Sequence, residues 1–291
     1  HVTRYNYPHT FPYLATFGEK LMLDSSLFAY EHSRPFHIRE AGQREQNGIL
    51  TRNFTYENHF GQRRAAFVVQ PTAEGPYPVI LYVHWYEPED ITSYRSQFLH
   101  EAQTMAERGV AALLIETMWS DRDFFLKRTQ ADDYRNSIQQ VVELRQALDL
   151  LFDQVNADRS RVAYVGHDFG AMYGTLMGAI DPRPTCYVLM AGTPRFPDWY
   201  LYYPRLEGEE REAFIKQMAP FDPIANIGQL APAPVFLQFA TNDPHVPVER
   251  AEAFFAAAAE PKHIGWYEAG HGLNEIATAE RIEWLTQQLS Q

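Results

Sequence analysis

The sequence predicts an α/β fold, a mostly parallel sheet with helices on both faces. Three observations carry that expectation. Short apolar, β-branched runs such as Val79–Val83 and Val110–Ile115 have the composition of strands buried on both faces. Segments of helical length lie between such runs. In residues 132–154, for instance, Tyr134, Ile138, Val141, Leu144, Leu148 and Leu151 fall on one face. From residue 53 onward the two kinds of segment alternate without a Gly/Ser linker or an internal repeat, as in one domain built of strand–helix–strand units.

Residues 1–50 stand apart. They hold His1, His9, His32 and His37, many aromatics and no clear strand. Leu14, Phe17, Leu21 and Phe28 sit at roughly helical spacing, which suggests a helix over 14–30. This part reads as an arm on the outside of the core, or as part of a lid. Phe54–Glu57 and Ala65–Gln70 flank His59-Phe60-Gly61-Gln62, a hairpin pattern that would give the sheet an antiparallel edge. The strand Val79–Val83 follows. Residues 92–108 look helical and end at Gly109, a C-cap signal. Then come strand Val110–Ile115, the helix over 132–154, strand Val162–Val165, a glycine-rich turn and a helix over 169–180. Tyr187–Met190, Val235–Phe239 and His263–Tyr267 complete the strands, with helices over 248–258 and 275–289. The stretch between the strands near Ala191 and Val235 is longer than a plain crossover needs. Residues 193–230 are therefore expected to form a small cap on a catalytic domain spanning 51–291.

Composition excludes several classes. The chain has 291 residues, 45% hydrophobic and 21% charged, enough to bury a core. Its net charge of −12 offers no basic footprint for nucleic acid. No apolar run approaches the ~18 residues of a membrane-spanning helix. The single cysteine, Cys186, rules out an intramolecular disulfide and cysteine-based zinc sites. His84, His167, His245 and His271 include no His-x-x-x-His or comparable pair, so no metal is expected. The chain begins at His1 rather than Met, which is compatible with a processed leader; a cytoplasmic location is the expectation. Homo-oligomerisation stays open. Aromatics make up 14% of the residues and gather in segments expected to roof one end of the sheet, which points to a small apolar organic substrate.

The turn that carries chemistry is Gly166-His167-Asp168-Phe169-Gly170. It follows the strand ending at Val165 and opens a helix, with Gly174 one turn on. Flanking glycines permit a sharp, crowded turn whose middle side chain projects above the sheet. The helix N-terminus behind it favours negative charge. Strand, turn and helix together resemble the nucleophile elbow of the α/β-hydrolase superfamily, over about residues 50–290. The outline looks most like the dienelactone hydrolase and prolyl-oligopeptidase branch. The elbow looks like that of epoxide hydrolases and haloalkane dehalogenases, where Asp replaces Ser. This resemblance implies an α/β-hydrolase fold with a mostly parallel eight-stranded sheet, a short cap and no cofactor. It also implies a nucleophile–acid–histidine order: Asp168, then Asp243 in Thr241-Asn242-Asp243-Pro244-His245-Val246-Pro247, then His271 in Ala269-Gly270-His271-Gly272.

Asp in place of Ser changes the reaction. A serine hydroxyl must lose a proton before it attacks a carbonyl carbon. A carboxylate is ordinarily ionised at pH 7. Its attack on an ester would give a mixed anhydride, with little gain. Its attack on a saturated carbon with a good leaving group gives an alkyl–enzyme ester, which water activated by a His–acid pair then hydrolyses. The oxyanion of that second step needs two N–H donors. Phe169 is expected to supply one and Trp85, in His84-Trp85-Tyr86-Glu87-Pro88, the other, although the family usually has glycine at the latter position.

The leading expectation is an epoxide hydrolase. Tyr86, Tyr200, Tyr202 and Tyr203 are the candidate donors to the alkoxide, while Trp119 and Trp199 help to shape the pocket. A haloalkane dehalogenase comes next. Phe169 stands where dehalogenases commonly carry Trp, so Trp85 or Trp119 would have to replace that donor. Two further classes fit the same fold: a dienelactone hydrolase-like esterase or lactonase with Asp168 as base, and a non-catalytic binding protein. Retention of Asp243 and His271 argues against the binding protein.

Overall fold

The structure, a computed structural model, describes residues 23–91 and 94–290. Its strands are β1 (Arg39–Gln46), β2 (Ile49–Glu57), β3 (Arg63–Pro71), β4 (Tyr77–Val83), β5 (Ala111–Ile115), β6 (Ala157–His167), β7 (Cys186–Met190), β8 (Val235–Ala240) and β9 (Lys262–Tyr267). The helices are α1 (Leu99–Glu107), α2 (Phe124–Lys127), α3 (Gln130–Gln154), α4 (Phe169–Ile180), α5 (Pro197–Tyr200), α6 (Gly208–Met218), α7 (Pro223–Asn226), α8 (Val248–Ala257) and α9 (Glu275–Leu289). All strands join one sheet in the order β1-β2-β3-β5-β4-β6-β7-β8-β9. β1, β2 and β3 form an antiparallel meander that continues antiparallel onto β5, and β4 to β9 run parallel to one another.

The sheet has nine strands, not the eight expected. The addition is β1, inside the stretch read as a strandless arm. Every residue of β1 is exposed, so its sequence has no in–out alternation to read. It is joined to β2 through Asn47 (φ 53°) and Gly48 (φ 75°), the Asn-Gly signature of a two-residue hairpin. The sheet therefore starts at Arg39, ahead of the expected boundary at residue 51.

Residues 14–22 of the expected N-terminal helix lie outside the described residues. Within 23–30 there is only one tight turn, Ser25–Phe28. Phe28 is buried there against Phe221, with ring centroids 6.0 Å apart. Its carbonyl accepts from Arg145 Nη1 at 2.7 Å, and Tyr30 Oη donates to Asp149 at 2.5 Å, so this segment is tied to α3. The helix expected over 92–108 is shorter, because α1 begins at Leu99.

Alternation along the central strands fills two apolar layers. Val79, Leu81 and Val83 of β4 and Val162 and Tyr164 of β6 face α3, α4 and α8. Ile80, Tyr82, Ala163 and Val165 face α1 and α9. Across the second layer Arg281 Nε and Nη2 donate to Glu101 Oε2 at 2.9 and 2.5 Å, and Tyr82 Oη donates to Glu101 Oε1 at 3.2 Å. This buried pair joins α1 to α9. Helix α4 is buried on all sides from Phe169 to Gly178. Glycine permits that close approach. A Cβ on Gly170 would collide with the Val83 carbonyl, and one on Gly174 with the Tyr164 ring.

The expected cap divides in two. Helix α7 and the following turn Ile227–Leu230 pack on α4 and α8 and so belong to the helical layer. Helices α5 and α6 stand at the C-terminal end of β7. No helix among the described residues is long and apolar enough to cross a membrane.

Candidate active site

The chain leaves β4 toward β5 on one side, whereas β6 lies on the other side of β4. That reversal opens a crevice at the carboxyl ends of β4 and β6, where ligands of open α/β sheets characteristically bind. Asp168 stands there, between the last residue of β6 and the first of α4. Its backbone is strained, with φ 52° and ψ −113°, values that a non-glycine residue adopts only when its surroundings hold it. The Asp168 N–H donates to the Met190 carbonyl at 2.8 Å, which fixes the turn to β7. A Cβ on Gly166 would strike the Gly170 carbonyl, so this turn requires glycine there.

The Asp168 carboxylate is completely buried, and its two oxygens differ. Oδ2 accepts the Tyr86 N–H at 3.2 Å, and the Phe169 N–H also supports the carboxylate. Oδ1 has no hydrogen-bond partner among the described residues and lies 3.9 Å from His271 Nε2, which likewise has none. Burial pushes the Asp168 carboxyl up to about 7, against the opposing pull of His271 and the two amides.

His271 follows β9, and its Nδ1 is 2.8 Å from Asp243 Oδ2. Asp243 follows β8. Its Oδ1 accepts the His245 N–H at 2.7 Å and the Val246 N–H at 3.2 Å. Burial works to raise the Asp243 carboxyl, but the hydrogen bond and charge of His271, with those amides, hold it below the usual carboxylate range. Burial works to lower His271, and its bond to Asp243 together with the charges of Asp168 and Asp243 more than offsets this, so its imidazole is more basic than usual. Asp243 therefore fixes the ring with Nε2 aimed at Asp168.

No protein-family model and no curated protein matches the sequence. Solved structures do. Acetyl xylan esterase from Paenibacillus sp. R4 is 18% identical, with a TM-score of 0.70 over 88% of this chain and 90% of that one. Acetyl xylan esterase 1 from Thermoanaerobacterium sp. JW/SL YS485 is 15% identical, with a TM-score of 0.71 over 90% and 91%. The 2,6-dihydroxy-pseudo-oxynicotine hydrolase is 16% identical, with a TM-score of 0.61 over 86% and 68%. The chain has the α/β-hydrolase fold.

Within this α/β-hydrolase fold the aromatic candidates separate. The backbone donor after β4 moves by one residue from the expectation. The Trp85 N–H is taken by Gln97 Oε1 at 2.9 Å, and the Tyr86 N–H is the one that meets Asp168. The tyrosine hydroxyls are engaged elsewhere or face solvent. Tyr86 Oη donates to the Arg122 carbonyl at 2.8 Å. Tyr200 is fully buried, with its hydroxyl 2.5 Å from that of Tyr173, which in turn is 2.9 Å from Ser137 Oγ. Tyr202 and Tyr203 are 43% and 53% exposed. Trp119 is fully buried, and its Nε1 donates to the His84 carbonyl at 3.1 Å. Trp199 differs. Its ring lies 6.0 Å from those of both Phe169 and His271, and its buried Nε1 has no hydrogen-bond partner among the described residues.

Three side chains here had no site role expected from the sequence. The His245 ring lies tilted against Trp199 at 5.0 Å and edge-on to His271 at 5.1 Å, at the rim of the site. Gln97 and His167 lie behind it. A histidine directly before the elbow residue is the sequence signal for His167; nothing in the sequence marks Gln97. His84 is a structural residue whose ring nitrogens meet the Trp85 carbonyl at 2.7 Å and Ser120 Oγ at 2.8 Å, and burial lowers its pKa to about 3. Among the described residues no group of three or more His, Cys, Asp or Glu side chains is placed to hold a metal ion.

Proposed function

We propose that this chain is a hydrolase that attacks a saturated carbon with Asp168 and passes through an alkyl–enzyme ester. The observation that carries this reading is the asymmetry of one carboxylate: Oδ2 is held by the Tyr86 N–H, while Oδ1 is bare and faces the base. Oδ1 forms a bond to carbon as the carbon–leaving-group bond breaks and the leaving group departs with the electron pair. In the second step His271 Nε2 removes a proton from water, and the water oxygen adds to Asp168 Cγ. The charge that develops on Oδ2 meets the amides of Tyr86 and Phe169. Collapse expels the alcohol, which takes the proton back from His271.

The leaving-group side favours a stable anion. An epoxide oxygen leaves as an alkoxide and needs an acid, and the hydroxyls of Tyr86 and Tyr200 already serve other groups. The Trp199 indole N–H donates a hydrogen bond without giving up its proton, which suits a halide. A haloalkane substrate is thus better supported than the epoxide first expected. The names of the esterase neighbours favour a second reading, hydrolysis of an activated ester or lactone with Asp168 as base.

A single turnover in ¹⁸O-water separates these readings. With an Asp168 ester the first alcohol released is unlabelled and the heavy oxygen appears in the Asp168 peptide. Label in the product with none in Asp168 excludes the covalent route and supports the ester reading.

A further inference from the structure

We propose that Gln97 and His167 form a clamp that couples the loop carrying the Tyr86 amide to the loop carrying His271, and that this clamp serves the hydrolysis of the enzyme ester rather than its formation. The inference rests on the Asp168 reading above.

The clamp is a chain of three hydrogen bonds that links the β4–α1 loop, the end of β6 and the β9–α9 loop. The Trp85 N–H donates to Gln97 Oε1 at 2.9 Å. Gln97 Nε2 lies 2.6 Å from His167 Nδ1, and His167 Nε2 lies 2.9 Å from the His271 carbonyl oxygen. Only one proton arrangement satisfies all three. The Trp85 amide is a donor, so Gln97 must present its oxygen there and its NH₂ to His167. Nδ1 of His167 is then an acceptor, and Nε2 carries the proton that the His271 carbonyl accepts. Reversing the Gln97 amide would set donor against donor at Trp85. The Trp85 indole closes the assembly from above. It stacks on His167 at 4.8 Å and 17° and on His271 at 6.1 Å and 19°. His167 is fully buried and, among the described residues, Asp168 Oδ1 receives no hydrogen bond from it, so it acts through others as a positioning residue.

Charge flow decides which step the clamp serves. Forming the ester drains negative charge from the Asp168 carboxylate into the leaving group. Amide donors on Oδ2 stabilise the starting carboxylate more than the transition state, so loosening them does not slow that step. Hydrolysis does the reverse, because it builds charge on Oδ2 while His271 accepts a proton. What the two ends of the clamp position, the Tyr86 amide beside Trp85 and the His271 loop, is needed in this second half alone.

The test uses Gln97→Met, which keeps length and loses both hydrogen bonds, and His167→Phe, which keeps a ring under Trp85. The expected result is a kcat lower by about 10- to 100-fold, a fraction of the loss from deleting an oxyanion donor outright. KM should fall in parallel, kcat/KM should stay within about threefold, and mass analysis should find the alkyl ester accumulating on Asp168. The double variant should be no worse than the worse single one, since the two act as a unit. A kcat/KM that falls with kcat at unchanged KM, without accumulated ester, overturns the proposal, and so do additive losses.

A second measurement needs neither substrate nor a folded variant. Ring ¹⁵N shifts of the wild-type protein should show His167 as the Nε2–H tautomer, and an Nδ1–H tautomer overturns the clamp. If ¹⁸O labelling finds no ester on Asp168 while His167 is the Nε2–H form, the reaction assignment fails and the clamp's geometry stands.

Discussion

At the scale of single residues, the proposed mechanism sets how the rate depends on pH. Asp168 must be ionised to attack, and burial has pushed its carboxyl up to about 7. His271 must be neutral to take a proton from water, and its basicity is raised. Both groups work in their basic forms, so activity is lost as the pH falls through their pKa values and is retained on the alkaline side. The expected kcat/KM profile reports Asp168, because ester formation does not use His271: it rises through about pH 7 and levels off about one unit higher, while His271 shapes kcat, and neither group gives an alkaline limb. A rate that declines through the same interval would mean that Asp168 acts as an acid, contrary to its assignment as nucleophile. At this scale the sequence was legible in where the candidate residues stand. Asp168, Asp243 and His271 stand at strand ends in the expected order and meet in space. It was illegible in which way a peptide plane faces. Whether the Trp85 or the Tyr86 amide faces Asp168 depends on backbone torsions that no side chain announces, and the Gln97 bond that decides it comes from a residue with no motif around it.

The elements were legible in proportion to their burial. β5, β7 and β8 are buried at every position and appeared in the sequence as apolar runs nearly to the residue. β1 has no buried position and so carries no apolar pattern, and only its Asn47-Gly48 turn marks it in the sequence. Helix α4 shows what an element demands of its sequence. It lies so close to the strands that Gly174 faces the Tyr164 ring directly. The ring is fixed from its other end, because Tyr164 Oη donates to the Gly170 carbonyl at 2.6 Å. Neither partner has room to yield. Gly174→Ala should therefore destabilise by about 3 kcal/mol or more, well beyond the gain of ~1 kcal/mol that alanine brings to an exposed helix site. Denaturant titration beside the unsubstituted protein measures the difference, and a neutral or stabilising result would show that α4 can lift from the sheet.

On the scale of the whole molecule, the two helical layers are secured differently. The layer bearing α3, α4 and α8 is held by a large apolar cluster. The layer bearing α1 and α9 is smaller and includes the Glu101–Arg281 pair, whose side chains are 4% and 7% exposed. Leaving one buried partner unmatched costs much more than removing both. Glu101→Leu should lower stability by about 3–5 kcal/mol, and adding Arg281→Met should recover most of that loss. Equal losses in the single and double variants would place the stabilisation in packing rather than in charge pairing. The burial of Asp168 also gives the candidate site its privacy. Asp168 exposes no surface at rest, and rings from α2, α5 and the loop after β4 crowd around Phe169 beside it. For the proposed reaction a guest must therefore wait for these rings to part, and traffic depends on how often and how widely the molecule breathes. Selection among guests then becomes partly a matter of timing, with slender molecules admitted by frequent small fluctuations and bulky ones only by rare large ones, even where both would fit once inside.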